Sequence, residues 1–258
     1  MALTDYVIMP GQDYQDACDS IRAKTGKTDL IKSGEMATEI GSISGGGGMD
    51  VVKIIDGTIE SIESDEVTVV RQQGFSGCSQ LATVSFPNAT TLGVSCFVST
   101  YALQHIFLPK VTSISGNAFD NSRIPVIVLP SLTSAKGASY AFRNNNKLQS
   151  IDVGNVDGFG LNAFQNDSIL TTIVIRATRV VSLTNSSLNG TSFASGGSGG
   201  TIYIPKVLYD HLGDGSSLDY KAATNWSTLD GYGTITWAQI EGSIYETQYA
   251  DGTPIPTT

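Results

Sequence analysis

The sequence has little of what catalysis and metal binding require. Charged residues are only 15% of its 258 residues, and it has two histidines and three cysteines. His105 and His211 lie in different regions, and neither belongs to a cysteine or serine motif. Cys18, Cys78 and Cys96 are too few and too scattered for a disulfide framework or a zinc site, so we expect buried thiols. The sequence therefore predicts no catalytic residues, no metal and no cofactor.

Carboxylates are rare in the middle of the chain, where only four occur between residues 71 and 200: Asp120, Asp152, Asp157 and Asp167. A paired-acid site built from Asp152 and Asp167 would support a glycan-processing enzyme. One predicted strand and one predicted turn contribute them, so we expect solvated charges instead.

The charge of −9 is unevenly spread. Residues 71–200 are mildly basic and lie between two acidic ends, with eight scattered cations. A nucleic-acid binder needs a dense cationic stripe to displace phosphate counterions. We therefore expect no nucleic-acid partner.

Long apolar runs are also missing. The first residues lack the basic start and apolar core of a secretory signal, and no stretch reaches the roughly 18–20 apolar residues of a membrane span. We expect a chain made in a cytoplasm, with no membrane insertion.

A repeated phrase dominates what is present. Five segments, beginning at Leu81, Leu103, Ile124, Leu148 and Leu170, carry apolar residues at their first, fourth and sixth positions. A second marker runs in step with them, because phenylalanines recur every 22 or 23 residues. These are Phe75, Phe97, Phe119, Phe142 and Phe164.

This period predicts a mainly β solenoid with coils of about 22 residues. A single unit cannot bury its apolar side, whereas stacked units join those sides into one core. Proline at 87, 109 and 130 ends each strand, where a missing N–H does least damage. Gly154 and Arg176 replace it later, so we expect the array to loosen toward its end.

The repeated pattern resembles the BspA-type bacterial leucine-rich repeats over roughly residues 58–205. Cys78 occupies the usual cysteine position of that family, and Thr100, Ser122, Asn145 and Asp167 take it in later copies. The resemblance implies a right-handed leucine-rich-repeat solenoid over residues 51–200. It also implies a C-terminal cap and tail over residues 201–258, in which a helix carries Tyr220 and Trp226. The glycine-rich residues 195–200 are expected to be a linker.

Residues 1–44 have the spacing of short helices. Tyr14, Ala17 and Ile21 form one apolar stripe, and Met36 and Ile40 form another. Helices this short are marginal alone in water, so we expect them to serve attachment or oligomerisation. The glycine-rich residues 45–50 predict a flexible joint.

The phrase IRAKTGKTDLI, with MATEIGSI and the glycine run after it, resembles the start of phage virion proteins, particularly tail-associated ones. That resemblance implies that residues 1–44 dock to other proteins of the particle. It also implies assembly in the host cytoplasm and a virion location.

Outward-facing strand positions predict an apolar patch. If the template strands alternate, their second, third and fifth positions face outward. The candidate partner-binding surface is then Phe107, Val126 and Val128, bordered by Gln104, His105 and Arg123. The alternative is that a loop, the second strand row or the C-terminal tail covers it.

The leading hypothesis is a phage structural protein, as tail fibre, tail tip or head decoration. Its solenoid would bind a glycan or protein receptor on the host surface, and the subunit would form a homo-oligomer. A BspA-like bacterial surface adhesin is the alternative.

Overall fold

The structure is a computed structural model that describes residues 57–184, 186–194, 197–226 and 235–256. The predictions for residues 1–44 and for the glycine joint at 45–50, including Tyr14, Ala17, Ile21, Met36 and Ile40, lie outside the described residues.

The described chain is mainly β. In chain order its strands are β1 (Ser61–Glu63), β2 (Val69–Val70), β3 (Thr83–Ser85), β4 (Thr91–Leu92), β5 (His105–Phe107), β6 (Ser113–Ile114), β7 (Val126–Leu129), β8 (Ser150–Val153), β9 (Gly158–Phe159), β10 (Thr172–Ile175), β11 (Ser182–Leu183), β12 (Gly200–Ile204) and β13 (Ile235–Gln239). The helical elements are α1 (Lys206–Tyr209) and a 3₁₀ turn at Ile244–Glu246.

These strands form two parallel columns along one spiral. The main column runs β1–β3–β5 and continues as β7–β8–β10–β12–β13. The second column contains β2–β4–β6 and the β9–β11 pair. Ser61 pairs with Thr83, and Thr83 pairs with His105, so neighbouring coils are offset by one sequence repeat. The predicted leucine-rich-repeat solenoid is confirmed.

The five predicted phenylalanines stack through the interior. Their ring centroids follow one another at 5.4, 5.3, 6.0 and 5.1 Å, with interplanar angles of 15° or less. Each N–H of this set donates to the carbonyl of the residue just before the ring of the next coil, as Phe97 does to Ala118 at 2.8 Å. In the same way, the N–H of Phe164 donates to the carbonyl of Ser187. The ring stack and the backbone hydrogen bonds therefore fix the same register between neighbouring coils.

A sixth coil follows, in which leucine replaces the aromatic ring. Residues two before and two after each of the last four stacked rings have positive φ, and asparagine, which tolerates this conformation, is frequent there. Ser186 and Gly190 repeat the pattern around Leu188, which is buried. The spacing of phenylalanines does not predict this coil, because leucine takes the place of the marker residue there.

Three residues after each interior side chain lies a buried position that is polar in most coils. Cys78 begins the row, and Ser122, Asn145 and Asp167 continue it. The Ser122 hydroxyl donates to Asn145 Oδ1 at 2.7 Å, and the Asn145 N–H donates to Asp167 Oδ1 at 2.7 Å. Burial raises the pKa of Asp167 to about 9. The expectation that this acid is solvated was wrong, because the fold places its position inside the coil.

The expected loosening of the array is wrong. At Gly154 a Cβ atom would lie 2.0 Å from the Pro130 carbonyl oxygen, so glycine allows the two coils to approach closely. Strands β8 and β10 pair over four residues each, which is longer than β3 and β5. The pairing between coils thus does not weaken where Gly154 and Arg176 replace proline.

Residues 210–226 of the C-terminal cap are mostly turns and bends. Tyr220 and Trp226 are buried as expected, yet the chain from 220 to 226 is turn and bend, so the predicted helix is wrong there. The Val181 N–H donates to the Tyr220 hydroxyl at 3.2 Å, and the Trp226 indole donates to the Val181 carbonyl at 2.8 Å. Gly200 begins β12, so the expected linker is partly strand.

Candidate binding surface

The outer face of the main column is open at its N-terminal end. His105 and Phe107 on β5 point outward from the coil, and Phe107 is 54% exposed. Gln104 and Thr83 beside them are also exposed. A large apolar ring therefore stands among polar side chains on a rigid sheet.

A second exposed group of side chains lies in the turns that precede β5 and β7. The Arg123 guanidinium lies 4.9 Å from the centre of the Tyr101 ring, and Tyr101 is 43% exposed. Asn121 Nδ2 donates to the Tyr101 hydroxyl at 3.3 Å. The sequence predicted Arg123 but missed Tyr101, which lies outside the strand template.

The apolar patch is smaller than the sequence predicted. Val126 is half-buried, and Val128 is only 8% exposed. Both lie on β7, which pairs with β8, where the outer face is covered. We define the open face as Gln104, His105, Phe107 and the Tyr101–Arg123 pair, because Val128 is not available to a partner.

The C-terminal strap, residues 243–256, covers the outer face further along. Asp152 on β8 and Arg176 after β10 form a two-bonded ion pair, with both N–O distances 2.7 Å. The strap closes over this pair, because the Ala250 N–H donates to Asp152 Oδ2 at 3.0 Å. Arg176 donates to the carbonyls of Tyr245 and Gln248 at 3.0 and 3.2 Å.

Burial under the strap changes the chemistry of Asp152. Removal from water raises the pKa of this carboxyl, while the bonds from Arg176 oppose that rise. The expectation of a solvated charge at Asp152 was wrong. Asp152 bonds Arg176 whereas Asp167 bonds Asn145, so the structure does not join the two acids into a catalytic pair.

Other reactive side chains lie apart. His105 is exposed on the open face, and His211 contacts Asp214 at 2.6 Å in the cap. Cys78 and Cys96 are buried, as expected. Within the described ranges, no three metal-ligating side chains come together, and no helix is long and apolar enough to span a membrane.

A sequence signal for the covered end existed. Asp152 departs from the repeat at the fifth strand position, and Arg176 departs from it at the proline position one coil later. Two such departures in neighbouring coils, of opposite charge, predict a pair. Taken singly, each departure predicts only a loosened coil or a solvated charge.

Comparison with known proteins agrees with this geometry. Residues 68–195 match the BspA type leucine rich repeat region, in six copies. The chain thus carries a BspA-type leucine-rich repeat region, and the number of copies is the same as that of the five phenylalanine coils together with the Leu188 coil.

One solved structure with similarity is a leucine-rich repeat protein from Bacteroides ovatus. The match has 21% sequence identity and a TM-score of 0.44, and covers 58% of this chain. It spans 44% of that protein, which is less than half of its length. Among proteins of curated function, none matches this chain.

Proposed function

We propose that this chain is a non-catalytic binding module of a phage particle, attached through residues 1–44 and binding the host surface with its open face. The observation that carries the binding role is Phe107, which is 54% exposed on β5, a strand that pairs in register with β3. The phage setting is supported by the resemblance of the N-terminal segment to virion proteins.

The open face has the make-up of a small recognition surface. Binding is concentrated in aromatic and arginine side chains that are surrounded by polar groups. Phe107 supplies a ring for contact, and its burial would contribute about 25 cal/mol for each Å² removed from water. The Tyr101–Arg123 pair supplies a second aromatic surface with a fixed cation. This chemistry fits a protein or glycan receptor, since both offer apolar faces beside hydrogen-bonding groups.

A bacterial surface adhesin is the second candidate. The six-copy match to the BspA-type region favours it, because those repeats are named for a bacterial protein family. Both candidates use the same open face, and they differ in what residues 1–44 attach to.

Adsorption to host cells tests the binding role. Phe107→Asp should abolish attachment, because a carboxylate would replace the central apolar contact. Leu161→Asp is the matched control, since Leu161 is 41% exposed outside the strands and the charge change is the same. Both variants should melt at the wild-type temperature. Unchanged adsorption by Phe107→Asp, with Leu161→Asp also unchanged, would remove the open face from consideration.

Imaging of purified phage particles tests the setting. An antibody against the solenoid should decorate intact particles, and a reconstruction should place residues 1–44 against neighbouring subunits in a symmetric oligomer. Detection of the chain on bacterial cells, and its absence from particles, would reject the phage setting in favour of the adhesin.

A further inference from the structure

The strap lies on the sheet without becoming part of the core. Asp152 and Val174 beneath it have no exposed area. By contrast, every residue from 243 to 256 is exposed or half-buried. A segment that buries none of its own residues fully belongs to the low-stability end of a protein and opens locally before the body unfolds.

The contacts that hold the strap are largely to its main chain. Arg176 bonds two carbonyl oxygens three residues apart, at 245 and 248, and Asp152 accepts the N–H of residue 250. These bonds do not depend on the side chains of the strap. Any polypeptide with the same backbone conformation can form them.

Two aromatic contacts add side-chain selectivity. The Tyr245 ring packs edge-on against Tyr203, with centroids 4.6 Å apart. The Arg176 guanidinium lies 5.0 Å from the centre of the Tyr249 ring. The strap is thus recognised by the aromatic rings of Tyr245 and Tyr249, its third and seventh residues, together with the main-chain bonds at residues 245, 248 and 250.

We infer that the Asp152–Arg176 pair is a polypeptide-binding site, which the strap occupies and which a partner's segment of the same kind takes when the strap leaves. The partner segment carries aromatic residues four apart, free carbonyls three apart and an N–H two residues after the second carbonyl. Asp152 holds Arg176 in position through two bonds, so the site stays formed without the strap. This site is separate from the open face and does not depend on the function proposed for it.

The bound strap also determines how tightly a partner's segment must bind in order to displace it. A tethered segment acts at an effective concentration in the millimolar range. An external segment of equal intrinsic affinity must therefore overcome that advantage, and intact protein binds it weakly. The site is open to a partner in proportion to how often the strap leaves.

Cutting the strap after folding tests this inference. A protease recognition sequence is inserted after Gly242, which is exposed and where an added Cβ atom would meet only the Gln239 side chain, at 4.0 Å. The whole chain is folded, cleaved and diluted so that the strap dissociates, and the body is isolated by gel filtration. The probe is a labelled synthetic peptide of residues 243–258, with binding measured by fluorescence anisotropy.

We expect saturable one-to-one binding of this peptide to the cleaved body, and at least about 100-fold weaker binding to the uncleaved chain. The double variant Asp152→Asn with Arg176→Met should weaken binding to the cleaved body by at least about tenfold. A peptide methylated on the Ala250 nitrogen should bind about fivefold to tenfold more weakly, because it lacks the N–H that Asp152 accepts. Cleaved Phe107→Asp protein should bind the peptide as well as the wild type does, which separates this site from the open face.

Three results would overturn the inference. The cleaved strap could stay with the body at all concentrations until the body unfolds, which would make it a permanent structural part. The body could lose its cooperative melt when the strap leaves, with the same meaning. Equal peptide binding by the wild type and the double variant would show that the Asp152–Arg176 pair does not form the site.

Discussion

The two ends of the main column carry different residues on the outer face of the same backbone pattern. On β5 the outward fifth-position residue is Phe107, which is mostly exposed, whereas on β8 and β10 the equivalent residues, Asp152 and Val174, are fully buried. Strand pairing is parallel and in register at both ends. In a repeat protein each coil contacts only its neighbours, so single outward substitutions change the surface of one coil without disturbing the next.

Inside the coils the two ends are alike. The aromatic stack runs from Phe75 at the open end to Phe164 under the covered end, with nearly parallel rings throughout. The buried position three residues after each ring changes along the stack, from a cysteine and hydroxyls to an amide and a carboxyl. The comparison therefore predicts that the interior contributes equally to stability at the two ends, although their surfaces differ. Variants at matched positions test each part of this prediction.

The largest effect is expected from the stacked rings. Phe97→Ala and Phe142→Ala should each lower the free energy of unfolding by about 3–5 kcal/mol, because each leaves a cavity between two stacked neighbours. Urea unfolding measures this loss. Phe107→Ala is the exposed control, with an expected change of about 0.5 kcal/mol or less.

The equality of the two losses is the informative part. If Phe142→Ala cost much less than Phe97→Ala, the interior at the covered end would be looser than at the open end. The comparison of equal cores would then fail, and the loosened array expected from the sequence would be restored.

A smaller effect is expected at the close contact between coils under the covered end. Gly154→Ala would place a Cβ atom 2.0 Å from the Pro130 carbonyl oxygen, so the coils must separate. We expect a loss of about 1–3 kcal/mol in the free energy of unfolding. Gly137→Ala is the matched control, because a Cβ atom there meets nothing within 4 Å and its φ is not positive.

Thermal unfolding of the two alanine variants checks this contrast. The control should melt at or slightly above the wild-type temperature, since alanine restricts the unfolded chain. A melt of Gly154→Ala that matches the control would show that the coils tolerate separation and that proline was replaced for another reason.

The sequence predicted what the repeat dictates. Period, strand positions and the phenylalanine stack follow from patterning, because every coil must solve the same packing problem. Phe107 was placed on the outer face by the same alternation. Leu188 shows what phenylalanine spacing cannot predict, since the sixth coil keeps the left-handed turn residues of the other coils but has no phenylalanine at this position.

The rest depends on contacts between segments far apart in the chain. The strap meets Arg176 across 69 and 72 residues, and a periodic template contains nothing about such distances. Burial of Val128 and Asp152 could therefore not be read from strand alternation. Asp167 was misjudged for a local reason, because its position in the repeat is interior whichever residue occupies it.

The last contrast concerns this polar position, where the open end carries neutral groups and the covered end carries an acid. The raised pKa of Asp167, about 9, means that the folded state holds a proton that the unfolded state releases near pH 4. Between about pH 4 and 9 the free energy of unfolding therefore falls as pH rises, by about 1.4 kcal/mol per pH unit, and above 9 this dependence ends. Asp167→Asn should remove that contribution, so the variant should be less stable relative to wild type at pH 5 than at pH 8.

Thr100→Val, at the same position in the open end, should keep the wild-type slope while losing about 1 kcal/mol at every pH. Urea unfolding at several pH values measures both, and parallel curves for Asp167→Asn and wild type would show that this carboxyl does not hold its proton in the fold.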